Sequence, residues 1–281
     1  MKQRVISSMI GLVILFAVLM LFNTIALNIA IAFISLLAVY ELLSATGCWA
    51  NKLTSLLAMF FAVMIPFFSI QAVAKNLIFI CYLYVIAIFV VLLRQHERLP
   101  VEKIALSFMF SLMIPFSLST IIYLRDRWGM TLGIFYALVS LGGAWLSDTG
   151  AYFAGLAFGK HKLAPNISPK KTVEGAIGGA IFAAVFMLLV AWLYSLGSAA
   201  LGYPITVHYI TLLCLMPFLS VVSIIGDLSA SIVKRQFNVK DYGSIMPGHG
   251  GVMDRFDSAL MVAPLVYMIS QHLPLAQPFV K

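Results

Sequence analysis

The sequence predicts an all-α polytopic integral membrane protein of about nine transmembrane helices, with its amino terminus in the cytoplasm and its carboxyl terminus on the opposite face. Composition is the first reason: 62% of the 281 residues are apolar and 10% are charged, against roughly 45–50% and 25% in soluble domains. The mean hydropathy of +1.04 says the same. The second is spacing, because the stretches free of Asp, Glu, Lys and Arg are 5–40, 53–74, 76–93, 104–124, 128–147, 175–226 and 258–280, each about one or two times the ~20 residues that cross a bilayer. The third is texture: these runs are solidly apolar, not the roughly 10-residue alternating segments of a barrel, the other closed way to satisfy a backbone in lipid. A soluble enzyme, a disulfide scaffold and a disordered chain are excluded.

Taken in order, Met1-Lys2-Gln3-Arg4 and the run behind it read as a retained first helix, since the run is long and lacks a small-residue cleavage site. The double stretch 5–40 turns at Asn23 and Thr24. Three single spans follow and complete a region of about five helices over residues 1–130. Residues 131–281 hold about four more and are read as the catalytic region; the double stretch 175–226 turns at Gly202-Tyr203-Pro204. Met-Pro-Phe clusters at Pro66, Pro115 and Pro217 have unmatched flanks and are read as helix kinks. Cys48, Cys81 and Cys214 show no metal or disulfide spacing and are read as packing residues.

Orientation follows from the bases. Of the 18 Lys and Arg, all but Lys75, Arg125, Arg127 and Lys281 fall on the side of the amino terminus, which the positive-inside rule places in the cytoplasm. The net charge of +8 therefore reports topology, and no nucleic acid is expected as a partner. The compact, all-spanning form suggests a bacterial inner membrane.

The functional signal lies in the acids. Of the 10 carboxylates, Asp148, Glu174, Asp227, Asp241, Asp254 and Asp257 fall in the last half, near predicted helix ends. Carboxylates within spans are costly and seldom face lipid, so these predict a shared polar cavity at the inner boundary. On one helix Asp227, Ser231 and Lys234 share a face at i, i+4 and i+7. The loop Pro247-Gly248-His249-Gly250-Gly251 lets backbone N–H groups approach an anion; His249 there is either a hydrogen-bonded loop residue or one that faces phosphate. Asp254 and Asp257 follow at i, i+3 on the last helix. Hard carboxylate oxygens suit Mg²⁺, which takes one or two of them and completes its shell with water and phosphate. Asp227, Asp254 and Asp257 are thus the expected metal ligands, while Lys234, Arg235, Lys240 and Arg255 supply cations for phosphate or for anionic lipid headgroups. Upstream, Pro169 holds Ser168 extended, and Lys170 and Lys171 precede a helix start that favours anions. Gly175, Gly178 and Gly179 read as close-packing glycines.

At these residues the sequence resembles the phosphatidate cytidylyltransferase (CDP-diacylglycerol synthase) family. The resemblance is carried by Ser231-x-x-Lys234-Arg235, Lys240-Asp241, Pro247-x-His249-Gly250-Gly251 and Asp254-Arg255-x-Asp257. Ser147-Asp148-Thr149-x-Ala151-Tyr152 and Ser168-Pro169-Lys170-Lys171-Thr172-x-Glu174-Gly175 extend it to residues 130–260, and residues 1–130 match only as generic spanning helices. It implies transfer of a cytidylyl group from CTP to phosphatidate, with Mg²⁺ and a monovalent cation such as K⁺, in a homodimer. The expected catalytic residues are Asp148, Lys171, Asp227, Asp254 and Asp257. The expected substrate-binding residues are Lys170, Glu174, Ser231, Lys234, Arg235, Lys240, His249, Gly250, Gly251 and Arg255. The residues alone leave two other readings open: a CTP-dependent lipid or polyprenol kinase using the same metal and cations, and an ion or phosphate-ester transporter.

Overall fold

The surfaces of the helices carry apolar side chains outward, with Ile78 85% and Ile210 80% exposed, an arrangement that suits lipid and not water. The computed structural model describes residues 11, 13–97, 99–246 and 250–279. The retained start at Met1–Arg4, the side assignments of Lys2, Arg4, Arg98 and Lys281, and the role of His249 lie outside these. The chain forms two compact units, Met1–Ile122 with Gln236–Phe256, and Tyr123–Arg235 with Asp257–Lys281.

In the first unit the turn expected at Asn23 and Thr24 is present, with the Thr24 hydroxyl accepting the Ala26 N–H to cap helix α1, Ile25–Ala45. Asn51 caps α2, Lys52–Met64. Pro66 then tightens the chain into a 3₁₀ turn, Ile65–Ser69, whose Pro66 carbonyl accepts from the buried Asn28 amide at 2.7 Å. A short α3, Gln71–Ala74, leads to α4, Leu77–Gln95. The core centres on Tyr84, stacked on Phe61 at 3.9 Å and hydrogen-bonded to Ser111 at 2.6 Å.

Helix α5, Val101–Phe158, is two helices meeting at Gly129, whose φ of 71° and ψ of −167° only glycine adopts readily. Its second half does not stop at Asp148, as the end of the charge-free run suggested, but continues to Phe158. Asp148 survives within the helix because Ser258 donates to it at 2.8 Å and Ser223 at 3.5 Å.

The second unit continues with a hairpin that the all-α reading missed, β1 (Lys162–Ala164) and β2 (Ser168–Thr172), paired antiparallel. Thr172 caps α6, Val173–Ala200, by accepting the Gly175 N–H at 3.1 Å. The expected packing glycines press α6 onto α5: a Cβ at Gly178 would overlap Ala154, and one at Gly179 would lie 2.6 Å from the Ser147 carbonyl. Gly202, at φ +85°, makes the expected turn, followed by β3 (Ile205–Val207) and α7 (Tyr209–Gln236).

Near the carboxyl terminus the single helix expected over 258–280 is replaced by α8 (Met253–Phe256), α9 (Ala259–His272) and β4 (Ala276–Pro278), which pairs with β3. Pro274 disfavours a helical residue before it, and the Leu275 N–H donates to the Tyr136 hydroxyl at 3.0 Å. Among the described residues six helices are long and apolar enough to cross a membrane, Val101–Phe158 counted once, and α9 is shorter. The chain is an integral membrane protein, and its described residues are mostly helical, with two short antiparallel ribbons.

Candidate active site

Asp227 stands on α7 with Ser231 one turn on, and Ser231 donates to Asp227 Oδ1 at 3.4 Å, as their i, i+4 spacing requires. From β2 the Lys171 ammonium forms an ion pair with Asp227. Extension of β2 by Pro169 is what delivers this lysine. Gly226 does the complementary work on α7, for a Cβ there would lie 2.9 Å from the Asp257 carbonyl and 3.1 Å from Ser258 Cα. The absence of that carbon lets the Asp257–Ser258 segment lie against the turn that bears Asp227.

Asp257 and Asp254 do not share a helix face, as their spacing suggested. Asp254 sits in the single turn α8, and Asp257 lies in the break before α9. The Asp257 carboxylate accepts the Ser258 N–H at 2.8 Å, a local bond that competes with helix continuation. Burial first, and the Asp227 carboxylate next, push the Asp257 carboxyl up to about 7. Ser258 also ties this break to Asp148 through its hydroxyl. The second unit thus holds Asp148, Asp227, Asp257, Lys171 and Lys234 in one electrostatically linked group.

Glu174, expected among the substrate-binding residues, lies in the first turn of α6. Its carboxylate accepts the Lys160 N–H at 3.0 Å, the His161 N–H at 3.1 Å and bonds the His161 ring at 2.6 Å, pinning the entry to the hairpin. Arg235 Nε donates to the Ile167 carbonyl at 3.1 Å and so joins α7 to the hairpin tip. Lys170 is exposed and Lys234 half-buried.

In the first unit Gly250 has φ +84° and closes a bridge with Met246. Asp254 Oδ2 accepts the Tyr242 N–H at 3.0 Å and the Gly251 N–H at 2.9 Å. A second carboxylate lies against Gly251 and is one the sequence reading passed over, Glu41 of α1. It is 2% exposed and accepts the Val252 N–H at 3.0 Å and the Met253 N–H at 2.9 Å. Its signal was available: a lone carboxylate ending a 5–40 apolar run is a functional candidate by default. Lys240, Asp241 and Arg255 are exposed.

Among the described residues no three His, Cys, Asp or Glu side chains are gathered as a metal cage. The donor chemistry nevertheless fits Mg²⁺, which is held by one or two carboxylates and otherwise by water and phosphate. Asp227 and Asp257 supply hard oxygens, and their mutual repulsion is relieved by added positive charge.

Comparison with known proteins decides the family. The model of the Cytidylyltransferase family matches residues 2–273. The chain belongs to this family. Among its relatives, the phosphatidate cytidylyltransferase of Bacillus subtilis (strain 168) is 34% identical over 277 residues, 96% of this chain and 97% of that protein. The phosphatidate cytidylyltransferase of Staphylococcus haemolyticus (strain JCSC1435) is 41% identical over 137 residues, 49% of each chain. That of Brucella suis biovar 1 (strain 1330) is 45% identical over 154 residues, 55% of this chain and 47% of that protein. As a cytidylyltransferase the chain is an enzyme, a nucleotidyltransferase, and the family resemblance drawn from its motifs holds across its length.

Proposed function

We propose that this chain transfers the cytidylyl group of CTP to phosphatidate, giving CDP-diacylglycerol and pyrophosphate at the cytoplasmic face of a bacterial inner membrane. The observation that carries the reading is the match to the Bacillus subtilis phosphatidate cytidylyltransferase along 96% of the chain. The chemistry of the second unit supports it. A phosphate monoester has its second pKa near ~6, so the lipid phosphate is already ionised and needs no strong base. A lipid oxygen bonds to the α-phosphorus of CTP as the bridging oxygen to the β-phosphorus departs with pyrophosphate.

Such a reaction needs alignment and neutralisation of charge. Lys171, Lys234, Arg235 and Arg255 hold phosphates of CTP and lipid, with Lys170, Lys240, Ser231, His249, Gly250 and Gly251 completing the binding set. Asp227 and Asp254 would hold Mg²⁺, with Asp257 completing or orienting the site, and Asp148 and Glu174 would organise these cations or a second metal. When bound, the ion withdraws charge from the triphosphate and stabilises the leaving pyrophosphate. Glu174 keeps the hairpin placed. K⁺ beside Mg²⁺, a homodimer and about nine spans with the amino terminus inside complete the reading. Phosphatidate enters sideways, its acyl chains staying in lipid.

The test is to incubate purified protein with Mg²⁺, phosphatidate and each of the four labelled nucleoside triphosphates. CDP-lipid and pyrophosphate from CTP alone are expected. Release of CDP with transfer of the γ-phosphoryl group overturns the reading.

A further inference from the structure

Three consecutive backbone N–H groups in the first unit are taken by two carboxylates. Gly251 donates to Asp254, and Val252 and Met253 donate to separate oxygens of Glu41. Glu41 comes from α1, and its bonds to Val252 and Met253 span 211 and 212 residues of sequence. The approach is close enough to dictate sequence on the other side. A Cβ at Gly251 or at Gly243 would fall on the Glu41 carboxylate, so each glycine is needed because Glu41 is there. A buried carboxylate in a membrane helix is costly unless fully satisfied, and two charge-assisted amide bonds supply that. The consequence runs to Asp254, the next residue but one after Val252, whose own carboxylate binds the Gly251 N–H and the Tyr242 N–H.

We infer that Glu41 is a positioning residue: it grips the backbone of Val252 and Met253 and thereby fixes where Asp254 presents its carboxylate during cytidylyl transfer. The inference rests on the reading of Asp254 given above. It assigns a task to the amino-terminal helices, which otherwise carry no motif. Glutamine is the informative replacement. It keeps the size of Glu41 but offers one acceptor oxygen, and its NH₂ group would confront an amide N–H. A displacement of about 1 Å at a reacting group can cost ~10²-fold in rate.

The experiment compares wild type, Glu41→Gln and Gly243→Ala, the second placing a methyl group against the same carboxylate. Steady-state pyrophosphate release is measured together with amide hydrogen exchange of the peptide spanning residues 250–256. Both variants are expected to lose kcat by about tenfold or more, with KM for CTP within about threefold of wild type. Exchange at Val252 and Met253 should be faster in each. A role confined to stability would lower the amount of folded enzyme and leave kcat per folded molecule unchanged. Glu41→Gln turning over at the wild-type rate overturns the inference, and so does a loss of kcat with unaltered exchange in that peptide. If Glu41→Gln fails to fold, Gly243→Ala decides by the same two criteria. Wild-type protein that releases no pyrophosphate from CTP and phosphatidate sinks the reaction reading instead, and the exchange comparison then still reports whether Glu41 holds the segment.

Discussion

In the first unit Glu41 accepts two backbone N–H bonds and Asp254 two more, whereas in the second unit Asp227 faces the Lys171 ammonium and Asp148 leans on the hydroxyls of Ser258 and Ser223. Backbone amides are fixed dipoles that hold a carboxylate in one place. A lysine on a four-carbon stem and rotatable hydroxyls can change partners. Amide-bound acids are therefore held in one place, Glu41 as a fastener and Asp254 as a fixed carboxylate, and acids opposed by mobile groups can trade those groups for an incoming cation or phosphate. The distinction separates carboxylates fixed by the backbone from carboxylates whose partners can be exchanged.

The largest effect should come from Asp227. Asp227→Asn removes a proposed metal ligand and the counter-charge of Lys171 together. Turnover should fall by about 10²–10³-fold, the cost usual for deleting one electrostatic catalytic group, when pyrophosphate release is followed at saturating CTP. Retention of more than about a tenth of wild-type turnover would break the contrast between the two regions. Next comes Lys171→Met, which frees Asp227 of its ion pair but leaves the acid in place. Its turnover should drop by about 10²-fold, and Lys171→Arg should recover only part of that because a guanidinium fork does not occupy the space of an ammonium. Equal activity of the arginine and lysine forms would show that only charge matters there.

The sequence made some of this architecture plain and hid the rest for identifiable reasons. Charge-free runs located the helices, Gly202 and Pro204 the turn after α6, and the Ser168-Pro169 step the extended strand that delivers Lys171. The same method ended a helix at Asp148, because a run defined by missing charges must stop at a charge, while a real helix passes through one that Ser258 satisfies. The face-sharing of Asp254 and Asp257 failed because Asp257 bonds the next N–H and interrupts the helix. Glu41 was legible as a lone carboxylate ending an apolar run, but its partners lie more than two hundred residues away, and no local spacing encodes such a contact. Asp148, Asp227 and Asp257 were named from their places near predicted helix ends, but their neighbours Ser223 and Ser258 were not, being small hydroxyls within apolar runs.

A third test leaves the charges alone and moves their support. Gly178→Leu puts a branched side chain where Ala154 already lies. Overpacking of this kind costs about 1–3 kcal/mol, so the melting temperature in detergent should fall. If the acids act as a group carried on packed helices, activity should decline with the folded fraction while KM for CTP holds. A changed KM with unaltered melting would place Gly178 nearer to substrate than its contacts suggest.

The smallest effect belongs to Ser258, and it sharpens the contrast most. Ser258→Ala deletes the hydroxyl that donates to Asp148 at 2.8 Å but keeps the backbone N–H that donates to Asp257 at 2.8 Å. Loss of one hydrogen bond to a charged group removes about 1.5–3 kcal/mol from a buried pair, and the remaining Ser223 contact at 3.5 Å should limit the loss to the lower end. Turnover should drop by a few-fold, roughly 1 kcal/mol. Asp148→Asn and Ser258→Ala touch the same bond, so the double variant should lose less than the sum of the two, a coupling that double-mutant kinetics can measure. Additive losses would mean that the serine acts through Asp257 or through packing.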